Sequence, residues 1–276
     1  MIITYGSPEN SGIWSKSTEY VWVVSVIVVV FWKSLFSVFI PNSFLSESKD
    51  IKVRTYKVGI IGRALAVYQV KNVVIYNDNK LPENEGKEDA EFIAEVLNYM
   101  NTPQYLRKRA FPIKPELKHV GILPPLRTPH HPTDKNPKVD DFRYGFTVKR
   151  NNKGTFVDIG MDKLAFCKEQ LTVNKIFSFK ITKIAKKEVI VTPDEPDDIY
   201  WGYNVILSNK SLKNSLKLIN PDFVVETTRY GDSINSIFDE LKPKVEEYRN
   251  IAILFGGPYS SIEDDVSSSN WESIKI

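Results

Sequence analysis

Between Phe142 and Val191 the chain abandons the strand and helix alternation that flanks it. It runs instead through short period-two segments such as Gly145-Phe146-Thr147-Val148-Lys149 and Phe177-Ser178-Phe179-Lys180-Ile181, with a turn signal at Asn151-Asn152-Lys153-Gly154. Alternating segments joined by polar turns specify a small β-barrel or β-sandwich. On either side the pattern is α/β. Lys52 to Tyr76 reads as a β-α-β unit with its helix around Arg63-Tyr68 and its second strand at Asn72-Tyr76, and Glu88 to Met100 carries helical apolar spacing. Further on, Phe223-Thr228 predicts a strand, Ser233-Leu241 a helix and Asn250-Phe255 another strand. The expected organisation is therefore an α/β domain over 35–135 and 196–276 with a β module inserted at 136–195, and 276 residues suffice to give both a core.

The first 34 residues do not fit that plan. Tyr20 to Ile40 is apolar enough to span a bilayer, although Lys33 interrupts it and few positive charges flank it. No basic region precedes it and no small-residue cleavage pattern follows, which argues against a signal peptide. A buried strand, or an extension outside the folded domain, accounts for the same β-branched run; membrane attachment is the less favoured alternative.

Charge is informative by position more than by sum. The net charge of +3 names no partner, but residues 101–150 hold 11 Lys or Arg against 4 Asp or Glu. From Tyr105 to Pro132 this basic stretch is punctuated by prolines that exclude regular structure through most of its length, and it closes on Leu123-Pro124-Pro125-Leu126-Arg127-Thr128-Pro129-His130-His131-Pro132. The single cysteine, Cys167, excludes an intrachain disulfide and reads as a buried structural thiol, in a reducing compartment or indifferent to redox; the expected location is cytoplasmic. His130 and His131 are adjacent and point different ways, His119 is the only other histidine, and no acidic partner stands at ligand spacing, so no metal is expected.

Several stretches together resemble one family, the SPOUT-class RNA methyltransferases that carry an OB-like insertion, found in archaea and eukaryotes. They are Phe39-Ile40-Pro41 with Ser43, the Tyr56-Tyr76 unit with Arg63-Ala64, Thr102-Pro103-Gln104-Tyr105-Leu106-Arg107, the Leu123-Pro132 loop, Tyr200-Trp201-Gly202-Tyr203 and Arg229-Tyr230-Gly231. The proline-histidine loop and the Tyr-Trp-Gly-Tyr element are the specific ones. The resemblance covers about Leu35 to Ile262 and implies a parallel sheet closed by a trefoil knot, an OB-like β module, S-adenosyl-L-methionine as the only cofactor, RNA as substrate and a homodimer in which two protomers build each site.

It also implies where the chemistry sits. The cofactor is expected at two strand ends, Thr227, Thr228, Arg229 and Gly231 after one and Leu254, Phe255, Gly256, Gly257 and Pro258 at the other, where a backbone without side chains lets a nucleoside approach. Arg63 matches an arginine expected near the target nucleotide, able to hold a phosphate or a developing anion. Arg107, Lys108, Arg109, Arg127, His130 and His131 are the expected RNA contacts of the basic segment; Lys149 and Arg150, beside Phe146 and Phe179, are those of the β module. After Pro258 the chain departs from the family pattern: the last cofactor loop and knot-closing helix have no counterpart, and 264–276 reads as a polar tail. The expectation that follows is weak or absent cofactor binding, with a non-catalytic RNA-binding or assembly protein as the alternative.

Overall fold

The computed structural model describes residues 34–134, 136–186, 188–258, 262 and 271–276. In chain order these form β1 (Leu35–Pro41), α1 (Ile51–Val67), β2 (Asn72–Tyr76), α2 (Glu83–Asn101) and α3 (Gln104–Ala110). The strands β3 (Phe142–Asn151), β4 (Gly154–Asp158), β5 (Ala165–Cys167), β6 (Ile176–Ile184) and β7 (Val189–Pro193) follow. Last come β8 (Asn204–Leu207), α4 (Leu212–Ile219), β9 (Phe223–Glu226), α5 (Ile234–Glu247), β10 (Asn250–Leu254) and β11 (Glu272–Lys275). The protein is a mixed α/β structure with a parallel six-stranded sheet, ordered β11-β9-β10-β1-β2-β8, and a separate five-stranded closed barrel, β3-β4-β5-β7-β6.

The strands β9, β10, β1 and β2 are nearly continuous apolar runs because both of their faces are covered. Phe36, Val38 and Ile40 of β1 pack with Val73, Ile75, Phe223, Val225, Ile251 and Ile253 beneath α1, α2 and α5. On the reverse face Phe39, Val74, Val224, Ala252 and Leu254 meet Leu212 and Leu216 of α4. The barrel has its own core of Val157, Ile159, Ala165, Cys167, Phe179, Ile181, Val189 and Val191.

Three sequence expectations change here. The first strand of the β-α-β unit is not in Lys52–Ile61 but at Leu35–Pro41, inside the stretch considered as a membrane span; the rest of that stretch, 20–33, lies outside the described residues, as does the extension before it. Residues 51–67 are instead one helix. Asp50 caps it by accepting from the Val53 N–H at 2.9 Å, and Thr55, Val58, Gly59, Gly62, Leu65 and Ala66 give it a buried face at helical spacing, which outweighs the strand preference of the Val and Ile residues between them. In the proline-rich segment a short helix, α3, and two single 3-10 turns form before Leu123. At the other end, the segment read as a polar tail adds a parallel edge strand: β11 pairs with β9 from Glu272↔Phe223 to Lys275↔Glu226. Among the described residues, no helix is long and apolar enough to cross a membrane.

Candidate active site and nucleic-acid interface

Parallel strands all end on one edge of the sheet, so the loops that leave β9, β10, β1 and β2 gather there, and at that edge backbone groups are left for a ligand. The loop after β9 is pinned at three points. The Thr227 N–H and hydroxyl both donate to the Leu254 carbonyl, at 3.0 and 2.8 Å, the Thr228 N–H donates to Ile276 O at 2.7 Å, and the Tyr230 N–H donates to the Thr228 hydroxyl at 3.3 Å. Gly231 lies so close to the Ile276 backbone that a Cβ there would stand 2.5 Å from its carbonyl carbon. The loop after β10 is held as firmly at its start, with the Phe255 N–H donating to Phe39 O at 3.0 Å and the Tyr76 hydroxyl to Phe255 O at 2.9 Å. Thr227, Thr228, Arg229 and Gly231 are thus brought beside Leu254, Phe255, Gly256, Gly257 and Pro258 by the pairing of β9 with β10.

Two features of this edge carry no sequence signal. Glu226, the last residue of β9, is only 4% exposed, a carboxylate buried at the mouth of the two loops. At the ends of β1 and β2, Ser43 donates to Asp78, the Asp78 N–H donates to the Asn42 side chain, and Asn42 donates to Asn77, all in buried or half-buried positions. Both come from tertiary convergence; of these residues the sequence singled out Ser43 alone, and without a role.

The opposite edge holds the joint between sheet and barrel. Helices α1 and α2 run back along the strands, so α2 ends at Asn101 where strands begin. Asn101 donates through Nδ2 to Tyr203 O at 2.9 Å, and its own carbonyl accepts from Nε2 of both His130 and His131, each at 3.0 Å. From the barrel, Tyr144 donates to Trp201 O at 2.7 Å, and Tyr105 of α3 donates to Tyr144 O at 2.8 Å. Gly202 turns the chain there with φ +89°, and a Cβ on it would stand 2.5 Å from Asn101 Oδ1. Burial pushes the His130 imidazole down to about 3, helped by His131, and lowers His131 to about 4, against the weaker opposing effect of the Asn101 carbonyl. Both rings are therefore neutral at pH 7.

The residues expected to meet RNA differ in exposure. His130 is fully buried, and Arg107 donates to Thr102 O and Met100 O and lies over the Tyr99 ring, so these two side chains finish α2. His131 is half-buried on the same carbonyl. Arg109 is exposed but ion-paired with Asp158 of β4. Lys108, Arg127, Lys149 and Arg150 are exposed. Phe179 fills the barrel core, whereas Phe146 is half-buried.

Arg63 faces the proline-rich loop. It lies 12 residues into α1, roughly 18 Å along the axis from the helix start, and donates to the Pro125 carbonyl. That puts it toward the joint, away from the strand ends of its own chain. Among the described residues no three His, Cys, Asp or Glu side chains are grouped to hold a metal.

The model of a family described as "Putative RNA methyltransferase" matches residues 35–275. The chain is 28% identical over 248 residues to the human (Homo sapiens) 28S rRNA (uridine-N(3))-methyltransferase, covering 80% of this chain and 63% of that one. To the Drosophila melanogaster protein of the same name it is 27% identical over 257 residues, 81% of this chain and 51% of that one. An uncharacterized protein of Halobacterium salinarum is 34% identical over 200 residues, 72% of this chain and 69% of that one. The chain thus spans between half and two thirds of the length of the two animal relatives.

Proposed function

The chain belongs to the RNA methyltransferase family whose model it matches over 35–275, and from that premise we propose that it methylates ribosomal RNA at N3 of a uridine, with S-adenosyl-L-methionine as donor. The observation that carries this reading is the pairing of two pinned loops, Thr227–Gly231 and Phe255–Pro258, at the carboxyl edge of a parallel sheet. The residues there suit such a donor. Gly256 and Gly257 leave room for a nucleoside against the backbone, Arg229 is an exposed cation for its carboxylate, and the Thr228 hydroxyl, which accepts from Tyr230, keeps its proton to donate. When bound, the donor supplies an electrophilic methyl on a sulfonium. This chain's part is to hold the uracil in line with that methyl, exclude water and receive the N3 proton, a role for which Glu226, buried at the end of β9, is the candidate.

The finer fold assignment belongs to the same reading. The SPOUT class and its trefoil knot are supported by β10 entering between β9 and β1 after α5 has crossed the sheet, and an OB-like barrel by the closed order β3-β4-β5-β7-β6 with one parallel contact, β5 with β7.

A homodimer completes the reading. The outward face of α1 carries Val53, Tyr56, Ile60 and Val67 at 40–53% exposure, all within about 60° of one another on a helical wheel. The face of a surface helix that looks away from its core is ordinarily polar, and an apolar stripe there marks a contact. A two-fold axis across α1 sets two such helices antiparallel. It lays Arg63 and the barrel of one copy beside the cofactor loops of the other, which would restore Arg63 to the target from the neighbouring subunit. Introducing Ile60→Asp with Val53→Asp is expected to convert a dimer to monomers in sedimentation velocity; a wild-type chain that sediments as a monomer at high concentration overturns the pairing.

The activity is tested by incubating the chain with ribosomal RNA and labelled donor and digesting to nucleosides. N3-methyluridine is expected from the wild type, and a loss of about 100-fold from Gly257→Val, because a side chain there displaces the donor. A wild-type product at any other base or position would overturn the assignment of N3.

A further inference from the structure

Strands β4 and β5 each present one aromatic ring on the outside of the barrel. Phe156 and Phe166 are partly exposed and alternate with the buried Thr155, Val157, Ala165 and Cys167, so the pleat points both rings away from the core. They are direct cross-strand partners, with ring centroids 5.3 Å apart and an interplanar angle of 63°. The register extends the row in both directions, to Lys149 on β3 opposite Phe156 and to Ile190 on β7 opposite Phe166. The Lys149 ammonium lies 5.0 Å from the Phe156 ring centroid.

Such a row has two properties that the barrel core does not require. Large rings on the solvent side leave apolar area in water, and the exposed charge near it is mostly positive: Lys149 on β3, Lys153 in the β3–β4 turn and Lys168 just after β5, beside Glu169. Residues 142–193 carry eleven Lys or Arg against four Asp or Glu. An acidic protein would match the charge but not the two rings side by side; a duplex would match the charge but keeps its bases stacked inside. Flat apolar faces joined by phosphates match both.

We propose that Phe156 and Phe166 form a stacking platform for unpaired bases of RNA, with Lys149 and Lys153 on the adjoining phosphates. The platform takes a single-stranded segment in any sequence, because every base has a stacking face, and it anchors the substrate away from the methylated position. This rests on the reading of RNA as the substrate and adds the site and the form of RNA it takes.

The test uses the full chain, a fluorescein-labelled single-stranded oligouridine and a labelled duplex of equal length, followed by anisotropy at several salt concentrations. The single strand is expected to bind more tightly. Phe156→Ala and Phe166→Ala are each expected to weaken it by about ten-fold or more, while Phe156→Tyr and Phe166→Tyr, which keep a ring, bind as the wild type does and show that the barrel tolerates change there. Lys149→Ala is expected to lower the slope of log affinity against log salt by about 0.7. Wild-type binding of the single strand that both alanine variants retain, or equal affinity for the duplex, overturns the platform while leaving RNA as substrate. Failure of the wild type to bind either RNA overturns both.

Discussion

Between pH 7 and pH 5 the protein is expected to lose roughly 4 kcal/mol of stability, about 2 kcal/mol for each of two buried imidazoles. His130 and His131 are held neutral, at about 3 and about 4, while in the unfolded chain each returns to its ordinary value near 6.5. Over this range the unfolded state binds protons that the folded state refuses, so stability is complete above the unfolded value and falls as the pH drops toward the folded ones. The loss reflects burial first, since a charged ring at the joint would sit among Tyr144, Trp201 and the other imidazole. Urea unfolding at a series of pH values reads it directly. The double variant His130→Gln with His131→Gln should be less stable at pH 7 and nearly flat across the same interval; an equally steep dependence in that variant would locate the acid sensitivity elsewhere.

Gly154→Ala is expected to destabilise the barrel by at least about 3 kcal/mol, through overpacking and a backbone that an L side chain rarely adopts. Gly154 opens β4 with φ +153°, and a Cβ would stand 2.1 Å from the Cys167 carbonyl oxygen and 2.7 Å from Phe166 Cζ. A carbonyl in the ladder between β4 and β5 cannot move without breaking that ladder. Amide hydrogen exchange separates the consequences: protection should fall in β3, β4 and β5 while β1, β2 and β10 keep theirs. Uniform loss across both sheets would show that barrel and sheet unfold as one unit, and unchanged protection would show that the hairpin shifts to accept the methyl group.

Legibility in the sequence followed the range of the forces involved. Period-two alternation is a local property, and it placed the β segments around Gly145–Lys149 and Phe177–Ile181 within β3 and β6. The Ile-Ile run of α1 was misread because its outcome depends on a cap at Asp50 and a buried stripe that only the folded partners reveal. The two loops proposed to hold the cofactor were named through the family resemblance of the Thr-Thr-Arg-Tyr-Gly and Gly256-Gly257 runs, but their union depends on β9 and β10 being neighbours. In the basic segment the chain does not show that the backbone carbonyls at the end of α2 hold Arg107 and His130. Phe156 and Phe166 went unnoticed for the converse reason, since which face of a strand looks outward is set by the closure of the barrel.

The order β9-β10-β1-β2 also fixes when the molecule can fold. The central strand β1 pairs on one side with β2, close in sequence, and on the other with β10, whose Asn250 meets Leu35 across about two hundred residues. A contact so distant forms late and slowly, after the loop it closes has been ordered at an entropic cost. The barrel, made from 142–193 alone, is complete well before β10 leaves the ribosome. During synthesis Phe36 and Val38 must therefore wait, one edge of their strand unpaired, for a partner that arrives only near the end. The interval is a window for aggregation or chaperone capture, and the barrel is the part of the nascent chain already folded through it.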